Sequence, residues 1–158
     1  MKILDSDLLT DLSQQARTSP RLRHHLNLHG DPGQLCQRLL IAIEPGSYVH
    51  PHRHQREPKP ECLIALRGKM ALFLFDDDGN IMQIQIFGPG TSVLGADIPA
   101  GVWHTVVSLE AGSVFFETKA GPYRPASSKE PAPWAPEEGT PEVPSYLQRL
   151  EDGISEKP

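Results

Sequence analysis

Apolar and polar positions alternate along most of this chain, with a single early exception. Leu4, Leu8, Leu9, Leu12 and Ala16 recur at helical spacing, and Asp5 or Ser6 can cap the run. A short helix over 5–18 is predicted, stopped at Ser19-Pro20. From residue 21 the period changes. Arg21, Arg23, His25, Asn27 and His29 share one parity, with Leu22, Leu26 and Leu28 on the other. A strand of this kind turns its polar face to solvent or to a polar cavity, and the residues by themselves favour solvent. The run Leu35–Ile43 predicts a strand buried on both faces. Further strands are predicted at 61–67, 69–75, 81–87, 91–98, 103–109 and 113–119. The Asp76-Asp77-Asp78-Gly79-Asn80 stretch between two of them reads as a hairpin turn rather than a calcium loop, because no closing Glu follows. Regular short strands with turns between them predict an all-β sandwich or closed barrel.

Composition changes at Gly121. Half of the sixteen prolines lie from Pro122 onward, predicting an irregular tail over 121–158 that Tyr123 and Trp134 anchor to the barrel. One last helical turn is expected at Tyr146–Leu150. The organisation is therefore a helical segment over 1–20, a barrel over 21–120 and the tail. The formal charge of −5 and the dispersal of Lys2, Arg17, Arg21 and Arg23 argue against nucleic acid as a partner. No run is long enough to span a bilayer, and the N-terminus lacks a secretory apolar region. Cys36 and Cys62 sit in apolar runs and read as reduced core residues. A cytoplasmic protein is expected. Unpaired strand edges predict a homodimer.

Candidate chemistry centres on four residues. His52 and His54 are two apart, so an extended backbone sets them on one face. Glu61 opens the run that ends at Arg67-Gly68. The Pro99-Ala100-Gly101 turn would deliver His104 to the strand after it. A lone buried His is more often a hydrogen-bonded core residue, but three imidazoles and a carboxylate on short apolar segments suit a divalent first-row metal. Iron, manganese, nickel and zinc all fit. Four ligands leave open positions on a five- or six-coordinate ion, as a catalytic site needs. Glu117 and Lys119 share a parity and could pair at a pocket mouth, with an exposed ion pair as the expected role. No nucleophile elbow, phosphate loop or dinucleotide fingerprint is present.

Gly46-x5-His52-x-His54, Glu61-x6-Gly68 and Pro99-x-Gly101-x-x-His104 resemble the two motifs of the cupin superfamily. Three positions depart from the pattern. Two extra residues separate His54 from Glu61, no Gly occupies Val93, and Ser108 stands where the motif has Asn. The insert makes Glu57 a rival ligand. Glu61 is preferred for its spacing to Gly68, while Glu57, among prolines and charges, reads as solvated loop. Ser19–Arg23, Asn27-Leu28-His29, Gln37–Leu40, Glu44-Pro45-Gly46, Pro51–His54, Gly121-Pro122-Tyr123 and Trp134-Ala135-Pro136 are similar to the WbuC family of cupin-fold metalloproteins. The resemblance implies a double-stranded β-helix, or jelly-roll barrel, with metal on His52, His54, Glu61 and His104. It turns Asn27 and His29 toward the cavity, as catalytic candidates that hydrogen-bond a ligand or shuttle a proton. It also implies a small polar metabolite, such as a sugar derivative of surface-polysaccharide metabolism, as substrate. Isomerisation, epimerisation and oxygenation all remain open, as does a metal-containing binding or regulatory module without turnover.

Overall fold

The computed structural model describes residues 1–125 and 129–155. Helix α1 (Ser6–Thr18) opens the chain, capped by Asp5, whose carboxylate accepts the Leu8 N–H at 3.0 Å. Ten strands follow among the described residues: β1 (Arg23–Asn27), β2 (Cys36–Ile43), β3 (His52–Arg53), β4 (Glu61–Arg67), β5 (Met70–Phe75), β6 (Ile81–Phe87), β7 (Gly95–Ile98), β8 (Trp103–Ser108), β9 (Ser113–Ala120) and β10 (Glu130–Pro131). Helix α2 (Val143–Ser155) ends the described chain. The strands form two antiparallel sheets, ordered β1-β2-β9-β4-β7 and β10-β3-β8-β5-β6. This is the jelly-roll arrangement that the family resemblance implies, within the all-β class expected from the regular short strands.

Strand parity explains how both faces of each sheet are covered. On β2 and β9, Ile43 and Phe115 enter the core between the sheets, where they meet Leu72 and Val106 of the opposite sheet. Their neighbours Leu40, Ala42 and Val114 face outward and are sealed by Leu12 and Ala16 of α1. On β5, Leu72 points inward while Ala71, Phe73 and Phe75 point outward, under Tyr146, Leu147 and Leu150 of α2. Central strands covered on both faces read as continuous apolar runs, which is why β2 and β5 show no clean alternation. Each fully buried Leu or Phe contributes roughly 1.5–3 kcal/mol.

Four expectations need correction. The tail is not irregular throughout: α2 spans thirteen residues rather than one turn, because Tyr146, Leu147 and Leu150 bury a stripe on the second sheet. The predicted strand over 91–98 shrinks to Gly95–Ile98, since Gly88–Thr91 is a turn closed by the Thr91 N–H donating to Gly88 O. The run from Leu35 is buried on both faces only beyond Leu39. Helix α1 does not reach its start, so Leu35 and Cys36 are exposed. Cys36 is therefore a free surface thiol rather than a core residue, while Cys62 is half-buried.

Candidate metal centre

The second sheet supplies the imidazoles. In the β3–β8 pair His52 lies directly opposite His104, with ring centroids 4.5 Å apart. His54 follows β3, and its carbonyl accepts the Gly101 N–H at 3.1 Å, tying the first histidine segment to the Pro99–Gly101 turn. Gly101 has φ 81°, a conformation in which a Cβ is strained. The first sheet supplies the carboxylate: Glu61, at the start of β4, is paired with Lys119 of β9 and Ile98 of β7. One ligand atom from each of His52, His54, Glu61 and His104 lies within 4.8 Å of the others. The sheets face one another, so residues far apart in sequence meet where their strand ends approach.

The donor set fits a metal in its details as well as its composition. His52 Nδ1 lies 2.9 Å from the His50 carbonyl and His104 Nδ1 2.9 Å from the Val102 carbonyl. A carbonyl only accepts, so each Nδ1 donates, and Nε2 is the ring atom available as a ligand. Nε2 of His54 and of His104 each lie 3.0 Å from an oxygen of Glu61. Burial, then the neighbouring His104, holds His52 well below its ordinary value, so the ring stays neutral. Burial alone would raise Glu61, but the adjacent His104 and His54 rings and the Lys119 charge hold it well below the usual carboxylate range. Neutral imidazoles and an ionised carboxylate are the states that bind a divalent ion.

Glu57 is outside this group. It is half-buried rather than solvated, because it pairs with Lys59 Nζ at 2.9 Å and with Arg124 at 3.4 Å. Lys59 is itself tucked against the tail, donating to the Pro122 carbonyl at 3.0 Å.

Register fixes what surrounds the site. Gln37, Lys119 and Glu61 form one row across β2, β9 and β4, and Asn27, Leu39, Glu117 and Leu63 form the next row across β1, β2, β9 and β4. Both rows face a cavity of about 410 Å³ that also holds the three imidazoles. The Lys119–Glu117 pair expected on the surface is inside it. Lys119 contacts Glu117 at 2.8 Å and also bonds Glu61, because β9 is a central strand. Burial and the Glu61 charge push the Glu117 carboxyl up. Gln37 escaped notice as a cavity residue, though a polar pair, Gln37-Arg38, inside an apolar run was its signal.

Asn27 and His29 also line the cavity, so the polar parity of this segment faces it, with His29 buried and Asn27 still exposed. His29 Nδ1 lies 3.1 Å from the Arg38 N–H and 3.0 Å from the Arg38 carbonyl. That carbonyl already accepts the Leu28 N–H at 2.8 Å, and the Arg38 amide needs an acceptor. Nδ1 is accordingly the acceptor, which leaves the ring proton on Nε2.

Solved structures share this architecture at low identity. KdgF from Halomonas sp. aligns at 18% identity over 68% of this chain and 85% of its own, with a TM-score of 0.51. A protein of Shewanella oneidensis aligns at 12% identity over 82% of this chain and 85% of its own, with a TM-score of 0.56. Oxalate decarboxylase of Bacillus subtilis aligns at 18% identity over 86% of this chain but 35% of its own, with a TM-score of 0.53. KdgF and oxalate decarboxylase are members of the cupin superfamily, and at such identities the three neighbours establish the fold. No curated protein matches in sequence. The family model described as "Domain of unknown function (DUF6016)" matches residues 4–87, more than half of the sequence, and the chain belongs to that family.

Proposed function

We propose that this protein is a metal-dependent enzyme of the WbuC type. Its substrate would be a small polar metabolite, a sugar derivative of surface-polysaccharide metabolism, in the cytoplasm. The observation that carries the reading is the convergence of His52, His54, Glu61 and His104 on the wall of a cavity large enough for such a molecule. Iron, manganese, nickel and zinc suit these donors. A divalent ion bound there supplies Lewis acidity toward a carbonyl or a water. The protein's own groups do the rest. Asn27 offers its amide to a polar ligand and Gln37 its amide oxygen, the Gln37 NH2 being held by the Pro32 and Gln34 carbonyls, and His29 donates from Nε2. Lys119 holds the Glu61 carboxylate in place and balances Glu117. Leu39, Ile41, Val106 and Phe115 give the cavity apolar walls that limit water. The reaction class is isomerisation, epimerisation or oxygenation. Exposed Ile64, Leu66 and Leu94 beside the free edge of β7 support a homodimer.

A binding or regulatory module without turnover is the second reading, and one observation favours it. With Nδ1 of His29 engaged by the Arg38 amide, the neutral ring presents a proton donor and not a base. Asn27 carries no exchangeable acid–base function, so proton transfer would fall to Glu117 and Lys119, which neutralise each other. The deciding experiment is elemental analysis of protein purified without added metal, then a metabolite screen with the metal found. Stoichiometric metal that is lost in His104→Ala supports the site, and turnover separates enzyme from module. Metal content unchanged by His104→Ala would defeat both.

A further inference from the structure

We propose that the cavity selects an anionic small molecule, whose carboxylate or phosphate group sits between Lys129 and the Arg21–Arg23 pair. The proposal rests on the reading of the cavity as a ligand site, but not on the metal. In sequence these cations are scattered, whereas in the fold all three line one cavity. Arg21 and Arg23 share a single counter-ion, Glu138, at 2.8 Å from each. Lys119 is matched by Glu117 and Glu61. Among the described residues Lys129 makes no hydrogen bond or ion pair, and residues 126–128 before it carry no carboxylate. Partial burial of its ammonium, and then the Arg23, Lys119 and Arg21 charges, pull Lys129 below its ordinary value. The lining therefore carries surplus positive charge although the whole chain is at −5, and a divalent ion at Glu61 would add to it. A cavity with cations short of counter-ions attracts and holds an anion, and the field of a low-dielectric cleft strengthens that attraction.

The test is an NMR titration of the β1 amides in low salt. The probes are inorganic phosphate, acetate, and methyl glucoside as a neutral control, with metal content measured in parallel. Saturable shifts at His25 and Asn27 are expected with phosphate or acetate and not with the glucoside. Phosphate alone assigns a phosphorylated ligand, and acetate alone a carboxylated one. Lys129→Gln, an exposed position, should weaken the anion by about tenfold with metal content unchanged. That last comparison separates the mouth of the cavity from anion binding at the metal itself. The proposal is overturned if neither anion saturates, if the glucoside gives equal shifts, or if Lys129→Gln binds as the wild type does. Protein that holds no metal yet passes these tests would sink the metal reading alone.

Discussion

Glu61→Gln is the sharpest perturbation of the candidate centre, because it keeps the shape of the side chain and removes its charge. Glu61 lies 3.0 Å from Nε2 of both His54 and His104 and is bonded by Lys119. A neutral amide is a poor ligand and leaves Lys119 with only Glu117. Removing a group that merely orients a ligand weakens metal binding about 10–100-fold, so losing the ligand itself should cost at least about 100-fold. Metal at about 100 times its Kd stabilises the native state by about 2.7 kcal/mol. After a 100-fold loss, the same metal concentration gives about 0.4 kcal/mol. For a chain of this size about 1 kcal/mol moves Tm by roughly 2–4 °C. Adding metal should thus raise Tm by about 5–11 °C in the wild type and about 1–2 °C in Glu61→Gln. Glu57→Gln should keep the full increase, since Glu57 pairs with Lys59 and Arg124. Scanning fluorimetry of stripped protein, with and without each candidate metal, measures all three. A full shift in Glu61→Gln, or its loss in Glu57→Gln, would refute the assignment and move the ligand into the loop.

Other outcomes follow from the same geometry. His52 is held below its ordinary value of 6.5, so its neutral ring stabilises the metal-free fold fully above that value, and the contribution is lost as pH falls below it. Urea midpoints should therefore drop from pH 8 to pH 5.5, and His52→Gln should shrink the drop, with His25, also lowered by burial and by Arg23, supplying part of the remainder. A Cβ on Gly95 would lie 2.0 Å from the Leu63 carbonyl oxygen, so Gly95→Ala should lower unfolding free energy by about 1–3 kcal/mol; an unchanged urea midpoint would contradict the β4–β7 packing. His29→Ala should retain metal and fold but lose turnover on whatever substrate the screen identifies, and retained turnover would exclude it from the chemistry. Light scattering at micromolar concentration should report twice the 17.5 kDa chain mass, and a monomer would exclude the dimer.

The sequence by itself determined the elements whose signal is local. The stripe of α1 needs only the 3.6-residue period, and the Asp76–Asn80 turn needs only its own residues: Asp76 accepts the N–H groups of Asp78 and Asn80. The spacings of His52, His54, Glu61 and His104 were equally legible, because each depends on a short strand or turn. Tertiary structure decided what depends on neighbours from elsewhere in the chain. Parity places Asn27 and His29 on one side of the 21–29 segment, but only the position of that segment at the edge of a curled sheet sets the side against the cavity. The Lys119–Glu117 pair looked exposed because nothing local shows β9 to be a central strand. Helix α2 was hidden by the prolines around it, since its apolar stripe gains stability only against Phe73 and Phe75 on the second sheet. The gathering of Arg21, Arg23 and Lys129 at one cavity likewise follows from chain crossing, which no spacing encodes.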